Sequence, residues 1–361
     1  MARIDSFLKL VADQHASDLH FTSGAVPLIR HDGELVRLPF RVLSEADAKS
    51  FLLEILTPEQ SEMLRDRQEI DFVYAIDGLA RYRVNVFHKV GGPGAVFRVI
   101  ANKVPTMEEL NLPPSVRRFA ELQNGLVLVC GPTGSGKTST LAALIHAINH
   151  DAARPRHIIT VEDPIEFIHE PVHGVISQRQ LGLHTEGFAS AIRSSLRESP
   201  DVLVVGEMRD YETISLALSA AETGVLVFGT LHTNSAAKAV DRMIDAFPDE
   251  IRDQMRSVIS VLLKGVVSQH LIKRASGDGR VAVCEVLIPN IAVANMIREN
   301  KIHQIESYLS SADQDESGAQ SLDGAIFRAL REQLITLEEA ARTAQDPERL
   351  RQRAAELPKE E

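Results

Sequence analysis

A glycine-rich stretch at residues 131–139, GPTGSGKTS, has the residue types and spacing of a loop that binds phosphate groups. In such a loop, backbone N–H groups and the following helix N-terminus bind phosphate oxygens. Lys137 is expected to reach the β- and γ-phosphates, and the Thr138 hydroxyl is expected to bind Mg²⁺. The apolar stretch GLVLVC before the loop and TSTLAALIHAIN after it indicate a strand and a helix, which argues against a simple glycine turn. We therefore predict a nucleoside triphosphate and Mg²⁺ as ligands. The predicted nucleotide-binding residues are Gly131, Pro132, Thr133, Gly134, Ser135, Gly136, Lys137, Thr138 and Ser139.

Three carboxylates, Glu162, Asp163 and Glu166, follow a second apolar stretch, HIITV. In a parallel sheet the ligand-binding crevice opens at the carboxyl ends of the strands. A carboxylate at this edge can hold Mg²⁺ or orient the attacking water, because phosphoryl transfer depends mainly on positioning and electrostatic stabilisation. The alternative, a solvated acidic turn, is less favoured when a phosphate loop belongs to the same sheet.

Two more apolar stretches, DVLVVG and GVLVFGT, also lead into polar residues. Many ATPases of this kind have Asp followed by Glu after the strand, whereas here Gly206 occupies the Asp position and Glu207 follows. Glu207 is therefore the predicted partner of the Mg²⁺ shell, and Arg209 is close enough in sequence to reach the same phosphates. His232 follows the other strand, where a donor could sense the γ-phosphate, although an isolated loop histidine is usually only solvated.

Basic residues of the N-terminal region form another candidate group. Arg81 and Arg83 lie two residues apart on a predicted strand and so share a face, and Arg98 lies on the next strand of the same hairpin. A solvated basic face is one interpretation. The other is that some of these arginines reach the nucleotide of a neighbouring subunit, where an arginine finger contributes about 10³ to 10⁵ in rate. Action between subunits would require a ring.

The elements that must position these residues form an N-terminal domain at residues 1–100, a proline-rich linker at 101–124 and an α/β domain at 125–361. The N-terminal domain is predicted to open with a helix and to contain an Asp32–Gly33 turn, two helices capped by Ser44 and Thr57, and a strand meander. The second domain alternates apolar strands with helices, which indicates a buried parallel sheet. After about residue 250 it is expected to become helical, with a hairpin near ASGDGRVAVCEVLI.

Composition narrows the class of protein. The 361 residues include 44% apolar residues and carry a net charge of −11, which argues against a surface that binds nucleic acid throughout. Cys130 and Cys284 are the only cysteines, which fits a reducing compartment and excludes a four-cysteine zinc module. The charged N-terminal segment lacks the apolar core of a signal peptide, so a cytoplasmic location is expected. The motif HEPVH resembles a zinc-protease motif by letters alone, because Pro171 interrupts the helix that the motif requires.

Four segments occur in the order and spacing of known motifs. GPTGSGKT, VEDPIE, VGEMRD and GTLHTNSA resemble the Walker A motif, Asp box, Walker B motif and His box of the secretion ATPase superfamily. The segment SDLHFTSGAVPLIRHDGEL is similar to the PAS-like domain of that superfamily. The chain resembles most the PilT branch, the type IV pilus retraction ATPases, because the assembly ATPases are longer and carry a tetracysteine insert. Residues Ala292–Glu299 resemble the AIRNLIRE motif of this branch, with Ala294 in place of an Arg, which leaves an accessory PilU-like ATPase as an alternative.

The resemblance implies a RecA-like ATPase domain, preceded by a small α+β PAS-like domain and followed by C-terminal helices. It also implies a homohexameric, ATP-hydrolysing motor at the cytoplasmic face of the inner membrane, where it acts on a PilC-like platform protein and drives pilus retraction and twitching motility. No nucleic acid is expected as a partner. The residues implied in catalysis are Glu166, Glu207, His232, Arg83, Arg98 and Arg209, and those implied in metal binding are Thr138, Glu207, Glu162 and Asp163.

Two other functions are compatible with the same nucleotide-binding motifs. A ring helicase or DNA translocase would show ATPase activity that nucleic acid stimulates, with a steep salt dependence. A nucleotide-binding regulator would hydrolyse slowly and signal through its bound state. Mg²⁺-dependent turnover that Lys137→Ala and Glu166→Ala abolish would argue against the regulator.

Overall fold

The computed structural model describes residues 2–31, 34–100, 103–312 and 318–356. The chain divides into two compact units, residues 1–103 and 104–361. The Asp32–Gly33 turn that the sequence predicts lies outside the described residues. No helix among the described residues is both long enough and apolar enough to cross a membrane.

The first unit is an α+β unit built on a six-stranded antiparallel sheet. Its helices are α1 (Asp5–Asp13), α2 (Glu45–Leu53) and α3 (Pro58–Arg67). Its strands are β1 (Asp18–Thr22), β2 (Leu28–His31), β3 (Glu34–Arg37), β4 (Glu69–Ile76), β5 (Ala80–Lys89) and β6 (Gly92–Ile100), in the order β3-β2-β1-β6-β5-β4.

Local sequence signals explain why α2 and α3 begin where they do. Ser44 and Thr57 each accept a hydrogen bond from the backbone of the third helical residue, and the side chains of Asp47 and Gln60 return a bond to the cap residue. These capping boxes satisfy backbone donors that a helix end otherwise leaves unpaired. The two caps predicted from the sequence are therefore confirmed. Strand β1, by contrast, was not predicted and lies at the centre of the sheet, between β2 and β6.

The second unit is built on a seven-stranded sheet in the order β13-β12-β7-β11-β10-β8-β9. Its strands are β7 (Gly125–Cys130), β8 (His157–Glu162), β9 (Val175–Gln180), β10 (Val202–Val205), β11 (Leu226–Leu231), β12 (Leu263–Lys273) and β13 (Arg280–Leu287). Its helices are α4 (Pro114–Glu121), α5 (Lys137–Asn149), α6 (Phe188–Ser195), α7 (Tyr211–Glu222), α8 (Ala236–Asp245), α9 (Arg252–Leu262), α10 (Ile291–Arg298), α11 (Gln304–Ala312), α12 (Leu322–Arg331), α13 (Leu337–Thr343) and α14 (Pro347–Ala355), with a 3-10 turn at Asp249–Ile251.

The strands of this sheet are parallel except for β13, which pairs antiparallel with β12. The central strands are apolar on both faces because a helical layer covers each face. On β10, Leu203 and Val205 belong to one hydrophobic core, whereas Val202 and Val204 belong to the core on the other face. Because these strands are parallel, the carboxyl ends of β7, β8, β10 and β11 lie at one edge of the sheet.

Residues 104–124, which the sequence suggests as a linker, pack within the second unit. Helix α4 buries Val116 and Phe119 in the core beside α5 and β7, and the Phe119 ring occupies the space where a side chain at position 265 would otherwise lie. Prolines at residues 113 and 114 stand at the start of α4, where proline suits a helix, so they begin this element rather than prevent it.

Candidate nucleotide-binding site

The glycine-rich loop connects the end of β7 to the start of α5, the strand–loop–helix context that the sequence predicts. Gly136 has φ +89°, and a Cβ there would lie 2.7 Å from Nε2 of Gln269. Gly131 also has a positive φ, +146°, and a Cβ there would lie 2.5 Å from Oγ of Ser135. A side chain is therefore excluded at both glycines, because the loop packs closely against Gln269 and folds tightly around Ser135.

The Lys137 ammonium folds back over this loop. Its Nζ donates to the carbonyl oxygens of Gly131 at 2.9 Å and Pro132 at 3.0 Å. Burial lowers the pKa of Lys137, and the negative charges of Glu207 and Glu166 act in the opposite direction. Glu207 and Glu166 are therefore within electrostatic range of the Lys137 ammonium group.

The Asp-box acids occupy different environments. Asp163 is exposed, whereas Glu162 and Glu166 are half-buried. Oε1 of Glu162 accepts from the Thr160 hydroxyl at 2.6 Å and from the Gln178 amide at 3.2 Å. Burial raises the pKa of Glu162, and the nearby charge of Glu166 adds to the increase. The Glu162 carboxylate is thus engaged within the protein.

Glu207 lies just after β10 and interacts with Arg209 and His232. Its Oε1 forms an ion pair with Arg209 and lies 3.1 Å from Nε2 of His232. Burial acts to raise the pKa of Glu207, but the hydrogen bond from Arg209 and the electrostatic influence of His232, Arg209 and Lys137 lower it overall. Glu207 is therefore held as an anion beside the phosphate loop.

The glycine that precedes Glu207 has a structural explanation. A Cβ at Gly206 would lie 2.9 Å from the carbonyl oxygen of Val161 and 3.2 Å from Cα of Glu162. The backbone of β8 is therefore too close for the Asp that many related ATPases have at this position. The Gly206 carbonyl also accepts from the Thr230 hydroxyl at 2.5 Å, which ties the end of β10 to β11.

In the second unit, Glu207 thus contacts Arg209 and His232, and Lys137 lies within electrostatic range of both Glu207 and Glu166. Arg209 also lies within electrostatic range of Asp163. The clustering agrees with the edge that the strand pattern predicts.

Arg83 and Arg98 belong to the first unit and stand directly opposite each other on β5 and β6, so their side chains share one face of that sheet. Nε of Arg98 donates to Oδ1 of the buried Asp18 at 2.9 Å, and Nε of Arg83 lies 3.8 Å from Oδ1 of Asp71. The two carboxylates offset the repulsion between the neighbouring guanidinium groups.

Three glutamines and one glutamate support the site and were not identified from the sequence: Gln178, Gln180, Gln269 and Glu285. Gln269 is 2% exposed, and its Oε1 accepts from the Thr140 hydroxyl of α5 at 2.5 Å. Glu285, 3% exposed, accepts from the backbone N–H of Ala236 at 2.6 Å, at the start of the helix that follows His232. The sequence signal for Gln269 and Glu285 is a polar residue inside an otherwise apolar strand, in VVSQHLI and VAVCEVLI respectively.

The segment Ala292–Glu299 lies mostly on α10. Val293 and Ile297 are buried in the core, whereas Ala294 is half-buried, and Ile291, one residue before the segment, is 82% exposed. The residue that departs from the AIRNLIRE pattern is therefore partly accessible on this helix.

Known proteins resemble this chain over nearly its whole length. The family described as Type II/IV secretion system protein matches residues 2–342. The Pseudomonas aeruginosa protein named type IV pilus retractation ATPase PilT is 45% identical over 345 residues, which cover 96% of this chain and 99% of that protein. The type IV pilus ATPase PilU of the same organism is 34% identical over 347 residues, with 96% of this chain and 90% of that protein covered.

Among solved structures, the crystal structure of the pilus retraction motor PilT with bound ADP superposes with a TM-score of 0.88 at 39% identity. The match covers 98% of this chain and 99% of that one. The second unit accordingly has the RecA-like fold of the secretion ATPases. The phosphate loop and the acids gathered beside it agree with this assignment, and the chain belongs to the Type II/IV secretion system protein family.

Proposed function

We propose that this chain is an ATP-hydrolysing motor that retracts a type IV pilus. The observation that carries the proposal is the Lys137 ammonium group bonded to the glycine-rich loop, with Glu207 and Glu166 within electrostatic range of it. The similarity to the retraction ATPase PilT along almost the entire chain supports the same function.

In the proposed reaction, the loop amides and Lys137 bind the β- and γ-phosphates of ATP. Glu166 orients a water molecule and accepts its proton as the water attacks the γ-phosphorus, so that the bond to the β-phosphate oxygen breaks and ADP and phosphate form. His232 contacts the γ-phosphate side of the site through its position beside Glu207. Positioning and electrostatic stabilisation supply most of the rate enhancement in such reactions.

The residues at this edge fit Mg²⁺, which prefers oxygen ligands. The Thr138 hydroxyl and the Glu207 carboxylate would hold the ion, with Asp163 beside them, and Glu207 is the better suited acid because its pKa is lowered. Bound Mg²⁺ supplies charge neutralisation at the phosphate oxygens.

The proposed assembly is a homohexamer in which Arg83 and Arg98 of one subunit complete the site of the next, together with Arg209 of the subunit that binds ATP. Loss of the γ-phosphate removes contacts between the two moving bodies, and domain rotation follows. The ring would act at the cytoplasmic face of the inner membrane on a PilC-like platform protein.

An accessory PilU-like role is the second candidate, and Ala294 favours it because the retraction motif has Arg there. The lower identity to PilU than to PilT supports the retraction motor. A nucleic-acid translocase is a weaker candidate, since the net charge of −11 opposes contact with a polyanion.

The test is complementation of a strain that lacks its retraction motor, scored for pilus retraction and twitching. We expect wild-type protein to restore both, and Ala294→Arg to restore them at least as well. Failure of both proteins, with normal folding and ATPase activity, would favour the accessory role. ATPase activity that DNA stimulates would favour the translocase.

A further inference from the structure

The Gln178 side chain, on edge strand β9, holds the Asp-box loop at three points. Its Nε2 donates to the Glu162 carboxylate at 3.2 Å and to the Phe167 carbonyl at 2.9 Å, and its Oε1 accepts from the backbone N–H of His169 at 2.8 Å. One amide thus bonds to the beginning and the end of the loop that carries Glu166.

Gln180, two residues further along β9, adds a fourth bond on the same face of the strand. Its Oε1 accepts from the backbone N–H of Ile165 at 3.2 Å, next to Glu166. Strand β9 itself is fixed by its parallel ladder with β8. The edge strand therefore forms a rigid backing for the loop, and two of its side chains satisfy the backbone groups of that loop.

Glu162 takes part in the same network. Its Oε1 accepts from the Gln178 amide at 3.2 Å and from the Thr160 hydroxyl at 2.6 Å. A carboxylate oxygen engaged by two donors of its own chain has little capacity left for a metal ion. Its bond with Gln178 joins Glu162 to the side chain that holds the loop carrying Glu166.

We infer that Gln178 and Glu162 are positioning residues, which set the Asp-box loop so that Glu166 meets the attacking water. The inference rests on the proposed function, in which Glu166 is the catalytic glutamate. It gives Glu162 a different role from Mg²⁺ binding. Displacement of a catalytic group by about 1 Å can cost about 10²-fold in rate, so loss of either residue should lower kcat strongly.

The experiment measures kcat, the KM for ATP and the Mg²⁺ concentration for half-maximal ATPase activity in the full-length protein. Gln178→Ala and Glu162→Ala should lower kcat by at least about tenfold, with KM and the Mg²⁺ requirement within about twofold of wild type. Glu162→Gln keeps an oxygen that can accept from Thr160 and Gln178, and should retain kcat to within about threefold. Ser177→Ala, on the same strand but bonded to His157 at 3.3 Å, is the matched control and should behave as wild type.

A Mg²⁺ requirement raised about fivefold or more in Glu162→Gln would overturn the inference, because it would identify a metal ligand. Unchanged kcat in Gln178→Ala and Glu162→Ala would also overturn it. If Gln178→Ala fails to fold, the Glu162→Gln and Glu162→Ala pair decides alone.

A double-mutant cycle separates this inference from the proposed function. Gln178→Ala should have no further effect on the single-turnover rate in a Glu166→Ala background, because the removed residue is the one being positioned. A further fall in the single-turnover rate of the double variant would contradict the inference, whatever the rate of Glu166→Ala alone. Unchanged turnover in Glu166→Ala alone would instead contradict the catalytic role that the proposed function gives to Glu166.

Discussion

The imidazole Nε2 of His232 lies 3.1 Å from Oε1 of Glu207, which joins the residue after β11 to the end of β10. Arg209 forms an ion pair with the same carboxylate oxygen, and the Glu207 side chain is 17% exposed. The hydrogen bond from Arg209 and the electrostatic influence of His232, Arg209 and Lys137 lower the pKa of Glu207, although burial acts to raise it. The arrangement keeps a carboxylate ionised beside the phosphate loop, which suits a metal shell.

Removal of Arg209 should move the acid limb of the kcat–pH profile to higher pH. Arg209 lowers the pKa of Glu207, so that pKa rises in Arg209→Ala and the ionised form is lost at a higher pH. The measurement is Mg²⁺-dependent turnover between about pH 4 and pH 8. Lys238→Ala, an exposed change on α8, is the control. An acid limb that stays in place while the plateau falls would show that Glu207 does not control this limb.

A Cβ at position 206 should destabilise the second unit. Gly206→Ala and Gly206→Asp place an atom 2.9 Å from the Val161 carbonyl oxygen, and overpacking of this kind costs about 1–3 kcal/mol in the free energy of unfolding. Urea denaturation followed by circular dichroism provides the measurement.

Gly187→Ala is the matched control for this prediction, because its Cβ would meet nothing closer than 3.9 Å. Its cost should stay below that of Gly206→Ala. Equal stability of Gly206→Ala and wild type would mean that the close approach of β8 does not explain the glycine.

Glu285 should make stability depend on pH near neutrality. Burial raises its pKa from 4.5 to about 7, with Glu306 and Asp323 adding to the rise and the backbone N–H groups of Ala236 and Leu322 opposing it. The native state therefore binds more protons than the unfolded state between these values, so this group lowers stability as pH rises.

Glu285→Gln keeps an acceptor for the Ala236 N–H and removes this dependence. The variant should gain stability over wild type by up to about 3 kcal/mol when the pH is raised from about 5 to about 8. Chemical denaturation at both pH values measures the gain. A stability difference that is the same at both values would mean that Glu285 does not titrate in this range.

The sequence predicts those site residues whose position follows from the order of neighbouring residues along the chain. Lys137, Glu207 and His232 each follow an apolar strand, and parallel pairing alone brings such positions to one edge. The role of Gln178 depends on β9 lying beside β8, a pairing between separate segments that no local pattern encodes. The need for glycine at position 206 also cannot be predicted locally, because the backbone that leaves no room for a side chain there belongs to β8, about forty residues earlier in the chain.

The same reasoning applies to α4. Prolines mark its start in the sequence, but they suit both a linker and a first helical turn, and only the pocket that receives Phe119 distinguishes the two. The sequence suggests Glu162 as a metal ligand because it ends an apolar strand and belongs to the segment that resembles the Asp box. The hydrogen bonds from Thr160 and Gln178 depend on folding and could not be read from composition.

Arginines supplied by a neighbouring subunit should allow two inactive variants to complement each other. Arg98→Ala keeps an intact phosphate loop, and Lys137→Ala keeps the arginine, so a mixed ring contains some complete sites. Turnover of rings co-expressed from the two variants should exceed the sum of the separate activities. Rings of Lys137→Ala with the Arg98→Ala/Lys137→Ala double variant are the control, because they contain no complete site. Mixed rings with only summed activity would place Arg98 outside the neighbouring site.

The measurement that tests the central claim most directly is ATP hydrolysis by the purified full-length protein with and without Mg²⁺. We predict sustained Mg²⁺-dependent turnover that Lys137→Ala and Glu166→Ala each reduce by at least about 10²-fold, whereas Lys238→Ala retains it. A wild-type protein that binds ATP without turning it over, or a Glu166→Ala variant as active as wild type, would contradict a motor built on this edge of the sheet.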